Sequence, residues 1–342
     1  MALKPPVEVP QGAIRLNTDS QKMEFFAQDQ WWEMATDVPT LNSGSRACFM
    51  GGFQDQPVNN TTFDTIDYIT ISSAGDAIDF GDLNAKLFDG VSNVSSSTRQ
   101  FALGGRVGPS FTYSNEIKFI TYSSTGDSTD FGDLTNSVAG YRPAGFSNST
   151  RGIRAGGSNN PGVGGTNVMD YITMASEGNA VDFGDLATAK LKYGGAVSSS
   201  TRGVICWGNS HPSTVNTMEF VTIATTGNAT DFGDLVNPGN SGASGNSTRG
   251  IICSNSPFVI QSIQLATKGN ATSFGTLSAT RSDPNAASSP TRIVMVGGVN
   301  YPAYLTTMDY LSIQEGGQAV DFGDLTVNRH TDNAGSNAHG GL

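Results

Sequence analysis

Pairs of aspartates that flank a Phe-Gly dipeptide recur along the chain, and their type and spacing make them the first candidates for chemistry. Two carboxylates on a glycine-assisted bend supply part of the six or more oxygens that a calcium ion requires. Paired carboxylates also provide general acid–base catalysis. The pairs are Asp79/Asp82, Asp130/Asp133, Asp182/Asp185, Asp231/Asp234 and Asp321/Asp324.

The regular repetition of these pairs argues against both kinds of site. An enzyme requires one asymmetric site, whereas this motif returns once in each of several segments, and one related segment has Ser273 and Thr276 instead. A scaffolding role explains the repetition more simply. We therefore expect no catalytic residue, no cofactor and no bound metal, with a structural cation or catalysis as weaker alternatives.

The motif belongs to a longer repeat that returns six times. A second phrase of the type Ser-Thr-Arg leads into an apolar run and Gly-Gly, and a third, such as IDYITI or MDYITM, alternates apolar and polar residues with the period of a β-strand. Internal repetition of this kind indicates a repeat architecture. The central phenylalanines are Phe80, Phe131, Phe183, Phe232, Phe274 and Phe322, and the arginines are Arg46, Arg99, Arg151, Arg202, Arg249 and Arg292.

Each repeat is predicted to form four antiparallel strands. Three strands are joined by a variable loop and by a tight hairpin whose glycine supplies a positive φ. A stretch rich in Gly and Ser, such as residues 192–200, supplies a short inner strand. The sequence therefore predicts an all-β protein with a six-bladed β-propeller, and a β-solenoid is the alternative.

The repeated arginines and aspartates are expected to pair with each other. An aspartate beside an arginine of a neighbouring strand forms a charge-assisted hydrogen bond. Because the fifth repeat lacks the aspartates, either Arg249 or Arg292 should have lost its partner. The aspartates predicted to pair are Asp79, Asp130, Asp182, Asp231 and Asp321.

Composition excludes several classes of partner. The formal charge of −11 argues against a nucleic-acid or anionic-membrane surface, since both need clustered Lys and Arg. No apolar run is long enough to cross a bilayer, and the first ten residues lack the apolar core of a secretory signal. Cys206 and Cys253 fall at equivalent strand positions and are predicted to be small core residues.

The order of arginine, apolar strand, Gly-Gly, loop, aromatic strand, turn and aromatic residue resembles the Kelch repeat, with Phe in place of the usual Trp. The resemblance implies a Kelch-like propeller over residues 37–342. Asn333–Ala338 matches the small-residue strand that precedes Ser-Thr-Arg. It is expected to pair with the strand that begins near Arg46 and to close the ring, although Asp37–Ser43 is an alternative source of that strand.

The variable loops after each Gly-Gly are the candidate binding surface. Aromatic faces combined with Asn and Gln side chains suit a sugar or a peptide. Simple divergence of exposed loops is the alternative explanation. The candidate residues are Phe111, Tyr113, His211, Tyr301 and Tyr304.

The first 36 residues stand outside the repeat. Residues 1–11 are Pro-rich and are expected to be an extended arm, and residues 12–36 are expected to form a small β-hairpin module. The run of Gly12, Ile14-Arg15, Asn17-Thr18, Glu24, adjacent aromatics and Trp resembles a short module of bacteriophage tail fibres and other virion appendages. Such a small module cannot bury many aromatics alone, so the candidate attachment residues are Phe25, Phe26, Trp31 and Trp32.

Together these features predict a non-enzymatic virion protein, assembled in the host cytoplasm, that acts as a tail fibre or tail-associated appendage. Its expected partners are other virion proteins, through the arm and hairpin, and a host-surface glycan or protein, through the propeller loops. A homo-oligomer is left open, and neither nucleic acid nor membrane insertion is expected. The alternatives are a head decoration or connector protein, a glycan-processing propeller enzyme and a bacterial Kelch-like interaction protein.

Overall fold

All regular structure in the described part of the chain is β-strand, as the composition predicts. The computed structural model describes residues 9–17, 22–33, 45–54, 61–90, 94–135, 143–158, 165–190, 194–206, 208–210, 213–238, 242–254, 259–331 and 333–342. These residues include no helix able to span a membrane. The chain divides into an N-terminal unit, Met1–Asn42, and a repeat region, Ser43–Leu342.

The N-terminal unit contains a three-stranded antiparallel sheet. Its strands are β1 (Ile14–Asn17), β2 (Lys22–Ala27) and β3 (Gln30–Glu33). β2 is the central strand, so Phe25 lies opposite both Ile14 and Trp32. The first eight residues of the predicted extended arm lie outside the described residues.

The repeat region forms six sheets of four or five strands, one for each repeat of the sequence. The repeats are numbered here 1 to 6 by their arginines, Arg46 to Arg292. Repeats 1 and 2 supply β4 (Arg46–Gln54), β5 (Thr61–Thr70), β6 (Ile78–Asp82), β7 (Leu87–Phe88), β8 (Arg99–Val107), β9 (Thr112–Thr121) and β10 (Thr129–Asp133). Repeat 3 supplies β11 (Ala144–Ser147), β12 (Arg151–Ala155), β13 (Thr166–Thr173) and β14 (Val181–Lys190).

Repeats 4 to 6 have the same order, and repeats 4 and 6 carry short additional strands. Repeat 4 contains β15 (Ala196–Ser198), β16 (Arg202–Ile205), β17 (Gly208–Ser210), β18 (Ser213–Val215), β19 (Thr217–Thr222) and β20 (Thr230–Asp234). Repeat 5 contains β21 (Ala243–Gly245), β22 (Arg249–Cys253), β23 (Val259–Gln264) and β24 (Thr272–Thr276). Repeat 6 and the C-terminal segment contain β25 (Asn285–Ser288), β26 (Arg292–Val296), β27 (Val299–Asn300), β28 (Ala303–Tyr304), β29 (Thr307–Ser312), β30 (Gly317–Gln318), β31 (Val320–Asp324) and β32 (Asn333–Ser336).

The last strand pairs with the first strand of the repeat region. β32 runs antiparallel to β4, with Asn333 opposite Met50 and Ser336 opposite Ala47. This confirms the pairing predicted from the small-residue pattern of Asn333–Ala338, so the sheet of repeat 1 takes strands from both ends of the region. The alternative donor, Asp37–Ser43, lies outside the described residues.

The inner segment of repeat 2 forms a single bridge to β8, between Ser95 and Gln100, in the described part of this repeat. The fourth strand of this sheet is β7, which pairs with the far end of β8. A bridge at the equivalent place in repeat 1 joins Phe53 to His330. The β7 pairing therefore adds to the predicted inner segment and does not replace it.

The glycine of the Asp-Phe-Gly-Asp motif determines how neighbouring repeats meet. Gly132 lies at a β-bulge between β9 and β10, with a φ of +146°. A Cβ atom at this position would lie 2.5 Å from the carbonyl oxygen of Gly178, in the hairpin turn of repeat 3. The N–H of Gly178 donates to the carbonyl oxygen of Phe131 over 2.9 Å. Only glycine combines this backbone conformation with so close an approach.

Hydrophobic clusters fill the space between consecutive repeats, including the space between repeat 6 and repeat 1. Five of the six motif phenylalanines are at most 3% exposed, as predicted. The prediction is wrong for Phe274, which is only half-buried. In repeat 5 Ser262 takes the place of the aromatic residue that packs edge-on against the motif phenylalanine elsewhere, for example Tyr68 against Phe80. Phe274 therefore lacks a ring to cover it.

Candidate functional sites

The six repeated arginines join each repeat to the next. Each guanidinium lies 4.6–5.0 Å from the centroid of an aromatic ring in its own repeat. Each also donates to a carbonyl oxygen at the end of the alternating strand in the following repeat. For Arg46 to Arg292 in order, these acceptors belong to Tyr122, Met174, Ile223, Leu265, Ile313 and Ile71.

The predicted pairing of these arginines with the motif aspartates is therefore wrong. The planar guanidinium stacks on a ring and donates to carbonyl oxygens rather than to a carboxylate. The expected loss of a partner by Arg249 or Arg292 does not occur either, since each donates to two carbonyl oxygens. All five aspartates in question are exposed: Asp79, Asp130, Asp182, Asp231 and Asp321.

The second aspartate of each motif takes part in the contact between repeats through its backbone. The N–H of Asp133, for example, donates over 3.0 Å to the side-chain oxygen of Asn179, in the hairpin turn of repeat 3. Asp324 makes the same bond to Asp76 across repeats 6 and 1. In the described residues no group of three or more His, Cys, Asp or Glu is placed to hold a metal ion.

Buried ion pairs lie at a position that the sequence analysis did not single out. The residue meant is the second of the alternating phrase, for example Asp67 in IDYITI, and it is polar in every repeat. In three repeats it is an aspartate that is almost fully buried beside a buried arginine. The pairs are Asp67–Arg329 at 3.1 Å, Asp170–Arg154, and Asp309–Arg281 at 2.9 Å. The signal that could have revealed them is an ionisable or amide side chain at this place in all six copies of the alternating phrase: Asp67, Lys118, Asp170, Glu219, Gln261 and Asp309.

Repeat 2 has the opposite charge at this position. Lys118 is 1% exposed and contacts Glu116, which lies two residues earlier on the same strand. Although burial acts to raise the pKa of Glu116, hydrogen bonds from Lys118 and Asn84 hold this pKa below its usual value. The register is thus reserved for a buried polar group rather than for one particular charge.

Serine hydroxyls link the inner strands to one another. Ser147 donates to the carbonyl oxygen of Ser95, and Ser198 donates to that of Ser147, each over 2.8 Å. Ser95 donates in turn to the carbonyl oxygen of Ser336, which lies 241 residues further along the chain. The equivalent residue of repeat 5 is Gly245, which has no hydroxyl to offer its neighbour.

The last residues fill the place that this glycine leaves open. The N–H of Gly340 donates to the carbonyl oxygen of Gly245 over 2.9 Å. A Cβ atom on Gly341 would lie 1.8 Å from the carbonyl oxygen of Ser147. Residues 338–342, here called the tail, therefore contact repeats 2 to 5, and only glycines fit in its closest contacts.

His339 anchors the tail between repeats 2 and 3. Its Nδ1 accepts from the N–H of Gly341 over 3.1 Å, and its Nε2 lies 2.9 Å from the carbonyl oxygen of Ser95. A carbonyl can only accept, so the neutral ring carries its proton on Nε2. Burial lowers the pKa of His339 to about 4, and the bond to Ser95 opposes this only in part.

The structure separates the candidate receptor-binding residues into two groups. Phe111 packs edge-on against Phe88, with ring centroids 5.1 Å apart, and Tyr113 pairs with Arg106 on the neighbouring strand. Tyr301 is 80% exposed, and Tyr304 is half-buried on the same hairpin of repeat 6. His211 lies outside the described residues.

Phe111 belongs to a cluster that the sequence did not indicate. Phe53 of repeat 1 stacks on Phe88 with centroids 5.3 Å apart, and Arg106 lies 4.1 Å above the ring of Phe88. Arg106 also forms an ion pair with Asp89. Phe88 is itself buried, so Phe53, Phe111 and Arg106 pack around it as one cluster where repeats 1 and 2 meet.

The candidate attachment residues lie on opposite faces of the N-terminal sheet. Phe26 and Trp31 pack edge-on 5.3 Å apart, and Arg15 lies 4.1 Å above Trp31. Phe25 is on the other face, where it and Ile14 are 37% and 60% exposed. Trp32 is in β3 opposite Phe25, but its side chain lies outside the described part of the structure.

The thiols of the described residues are inert core groups. Cys48, Cys206 and Cys253 are all buried and free, which confirms the prediction for the last two. Burial raises the pKa of Cys48 far above its usual range and that of Cys253 to about 12. Such thiols carry almost no thiolate at neutral pH.

Comparison with models of known protein families and with curated protein sequences gives no match for this chain. Its function is therefore argued from the geometry of its own residues.

Proposed function

We propose that the repeat region is a six-bladed β-propeller of the Kelch-like type. Three kinds of contact that join each repeat to the next also join repeat 6 to repeat 1. They are the hydrophobic cluster, the arginine bridge and the hairpin-turn contact. The pairing of β32 with β4 adds a further link between the two ends of the repeat region. In the turn contact the N–H of Gly75 donates to the carbonyl oxygen of Phe322 over 2.7 Å. This cyclic order supports a closed ring rather than a solenoid.

The ring presents its variable loops as a binding surface, and we propose that this surface recognises a glycan or protein on a host cell. The observation that carries this proposal is the exposure of Tyr301, 80% of whose surface is accessible in the turn between β27 and β28 of repeat 6. A large aromatic ring left in solvent on an ordered hairpin suits stacking on a sugar or a peptide. The framework, in contrast, buries its aromatic residues between repeats.

The setting we propose is a bacteriophage virion, in which the chain acts as a non-enzymatic tail fibre or tail-associated appendage. The N-terminal sheet supports this role because Ile14 and Phe25 expose apolar surface side by side on paired strands. Covering such surface contributes on the order of 25 cal/mol per Å². We propose that another virion protein covers it.

Two variants test the proposal. A Tyr301→Ala protein should keep its unfolding temperature but bind host cells several-fold more weakly, whereas Tyr122→Phe, a change to a buried residue, should not affect cell binding. A variant without residues 1–36 should fold, yet fail to enter the particle. Undiminished cell binding by Tyr301→Ala would contradict the receptor surface. Normal incorporation of the shortened chain would favour a decoration or connector role in which the repeat region docks.

A further inference from the structure

Repeat 5 departs from the other five repeats at four positions of one hairpin, formed by β23, its turn and β24. Ser262 replaces a Tyr or Phe, Ser273 and Thr276 replace the two motif aspartates, and Lys268 replaces Ala, Thr, Glu or Gly in the hairpin turn. Because all six repeats form equivalent strands, the other five show which residue type is usual at each position of repeat 5. The loss of one ring and two acids, together with the gain of one cation, changes both the shape and the charge of this hairpin.

A cavity lies beside Ser262, the residue that stands in place of the ring. It has a volume of about 130 Å³ and lies within the hairpin of β23 and β24. Ser262 and Thr272 face each other across the strands, with their hydroxyl oxygens 3.5 Å apart. The remaining ring, Phe274, is half-buried under Arg249, whose guanidinium lies 5.0 Å from the ring centroid. Ile263 and Gly269 complete a lining whose other side chains are polar: Ser262, Gln264, Thr267, Lys268, Asn270 and Thr272.

The chemistry of this lining favours an anionic, hydroxylated ligand. Lys268 places its ammonium 4.9 Å from the ring centroid of Phe220, in repeat 4, which holds the charge at the rim of the cavity. An ammonium offers three donors, and the hydroxyl and amide groups around it both donate and accept. None of the lining residues is acidic. The replacements at Ser273 and Thr276 also remove two carboxylates from this hairpin of a chain with a formal charge of −11.

We propose that the repeat 5 cavity binds a sugar unit that carries a carboxylate, with Lys268 pairing with the carboxylate and Ser262 and Thr272 binding sugar hydroxyls. The proposal rests on the proposed function, since it adds an acidic-sugar subsite to a glycan-binding protein. It places that subsite in the hairpin of repeat 5, apart from the loop residue Tyr301. Charge-assisted hydrogen bonds are stronger than neutral ones, so the carboxylate should dominate selectivity.

The test is a titration of the full chain with glucuronate, its methyl ester and glucose. Isothermal titration calorimetry and saturation-transfer NMR measure the binding. The wild-type protein should bind glucuronate about tenfold more tightly than the uncharged ester, as expected for one charge-assisted hydrogen bond. Lys268→Gln should abolish that preference. Ser262→Tyr restores the ring of the other repeats and should fill the cavity, so glucuronate binding should be lost while the unfolding temperature holds or rises. Thr226→Gln, at the same turn position of repeat 4, is the matched control and should leave binding unchanged.

Failure of this inference can be distinguished from failure of the proposed function. If glucuronate does not bind the wild-type protein, or binds Ser262→Tyr equally well, the cavity is not a subsite and the inference is overturned. In that case the proposed function would still be supported if the Tyr301→Ala protein lost its binding to host cells. A protein that binds glucuronate as expected but no host cell would support the cavity and contradict the host-recognition role.

Discussion

Arg292 donates a 3.0 Å hydrogen bond to the carbonyl oxygen of Ser72, which lies 220 residues earlier in the chain. The same guanidinium lies 4.7 Å from the centroid of Tyr310 and donates to the carbonyl oxygen of Ile71. One side chain thus binds repeat 6 to repeat 1 in the way that Arg151 binds repeat 3 to repeat 4. The contact depends on a planar group that stacks on a ring and donates hydrogen bonds from its edge. The ammonium of lysine is not planar and cannot do both.

Arg292→Lys is therefore expected to destabilise the protein by about 1–3 kcal/mol, through the loss of a stacked cation and of one or two hydrogen bonds. Chemical denaturation would measure the loss. Asp321→Asn is the control because Asp321 is exposed, and its effect should stay within about 0.5 kcal/mol. If Asp321→Asn proved as harmful as Arg292→Lys, the arginine–aspartate pairing predicted from the sequence would regain support.

The buried pair of Asp309 and Arg281 provides a second prediction. Both side chains are fully buried, and the hydroxyl of Ser278 also donates to Asp309, over 2.7 Å. Asp309→Leu would leave the guanidinium without its counter-charge and should cost about 3–5 kcal/mol. The double variant Arg281→Met/Asp309→Leu removes both charges and should recover most of that loss. A double variant as unstable as the single one would show that packing at Asp309, rather than charge, is what matters.

The sequence predicted the repeated framework because local rules govern it. Alternation identified the strand that carries Tyr68, and the turn glycines and small residues predicted the hairpins and the partner of β4. The arginine–aspartate pairing failed because charge complementarity alone cannot choose between a carboxylate and a carbonyl oxygen beside a ring. The buried pairs were missed because their arginines come from different places in the repeat. Arg281 and Arg329 each stand seven residues after a motif phenylalanine, whereas Arg154 lies on β12. Only the three-dimensional structure brings each of them to a buried aspartate.

The tail offers a graded test of how the repeat region is held together. Deleting residues 338–342 removes the bonds from His339 to Ser95 and from Gly340 to Gly245, together with the burial of the tail, and should cost about 3–4 kcal/mol. Deleting residues 331–342 also removes β32, which leaves β4 as an unpaired edge, and should cost considerably more and promote association. Denaturant titration and sedimentation would compare the two variants. Equal losses would mean that β32 adds little to the sheet of repeat 1.

His339 should make the stability of the protein depend on pH. Its folded pKa of about 4 lies below the ordinary value of 6.5, so the unfolded chain binds the proton more readily. The contribution of the neutral ring is complete above pH 6.5 and is lost as the pH falls from there towards 4. A second proton on Nδ1 would also face the N–H of Gly341 and break that hydrogen bond. The whole effect amounts to about 3 kcal/mol.

The variant His339→Gln cannot titrate in this range. The difference in unfolding free energy between wild type and variant, measured in urea at pH 7, 5.5 and 4, should therefore shrink by about 3 kcal/mol towards the lowest pH. Taking the difference between the two proteins cancels the carboxylates, which titrate alike in both. A difference that stayed constant across the series would contradict the buried, neutral state of His339, and with it the closing role of the tail between repeats 2 and 3.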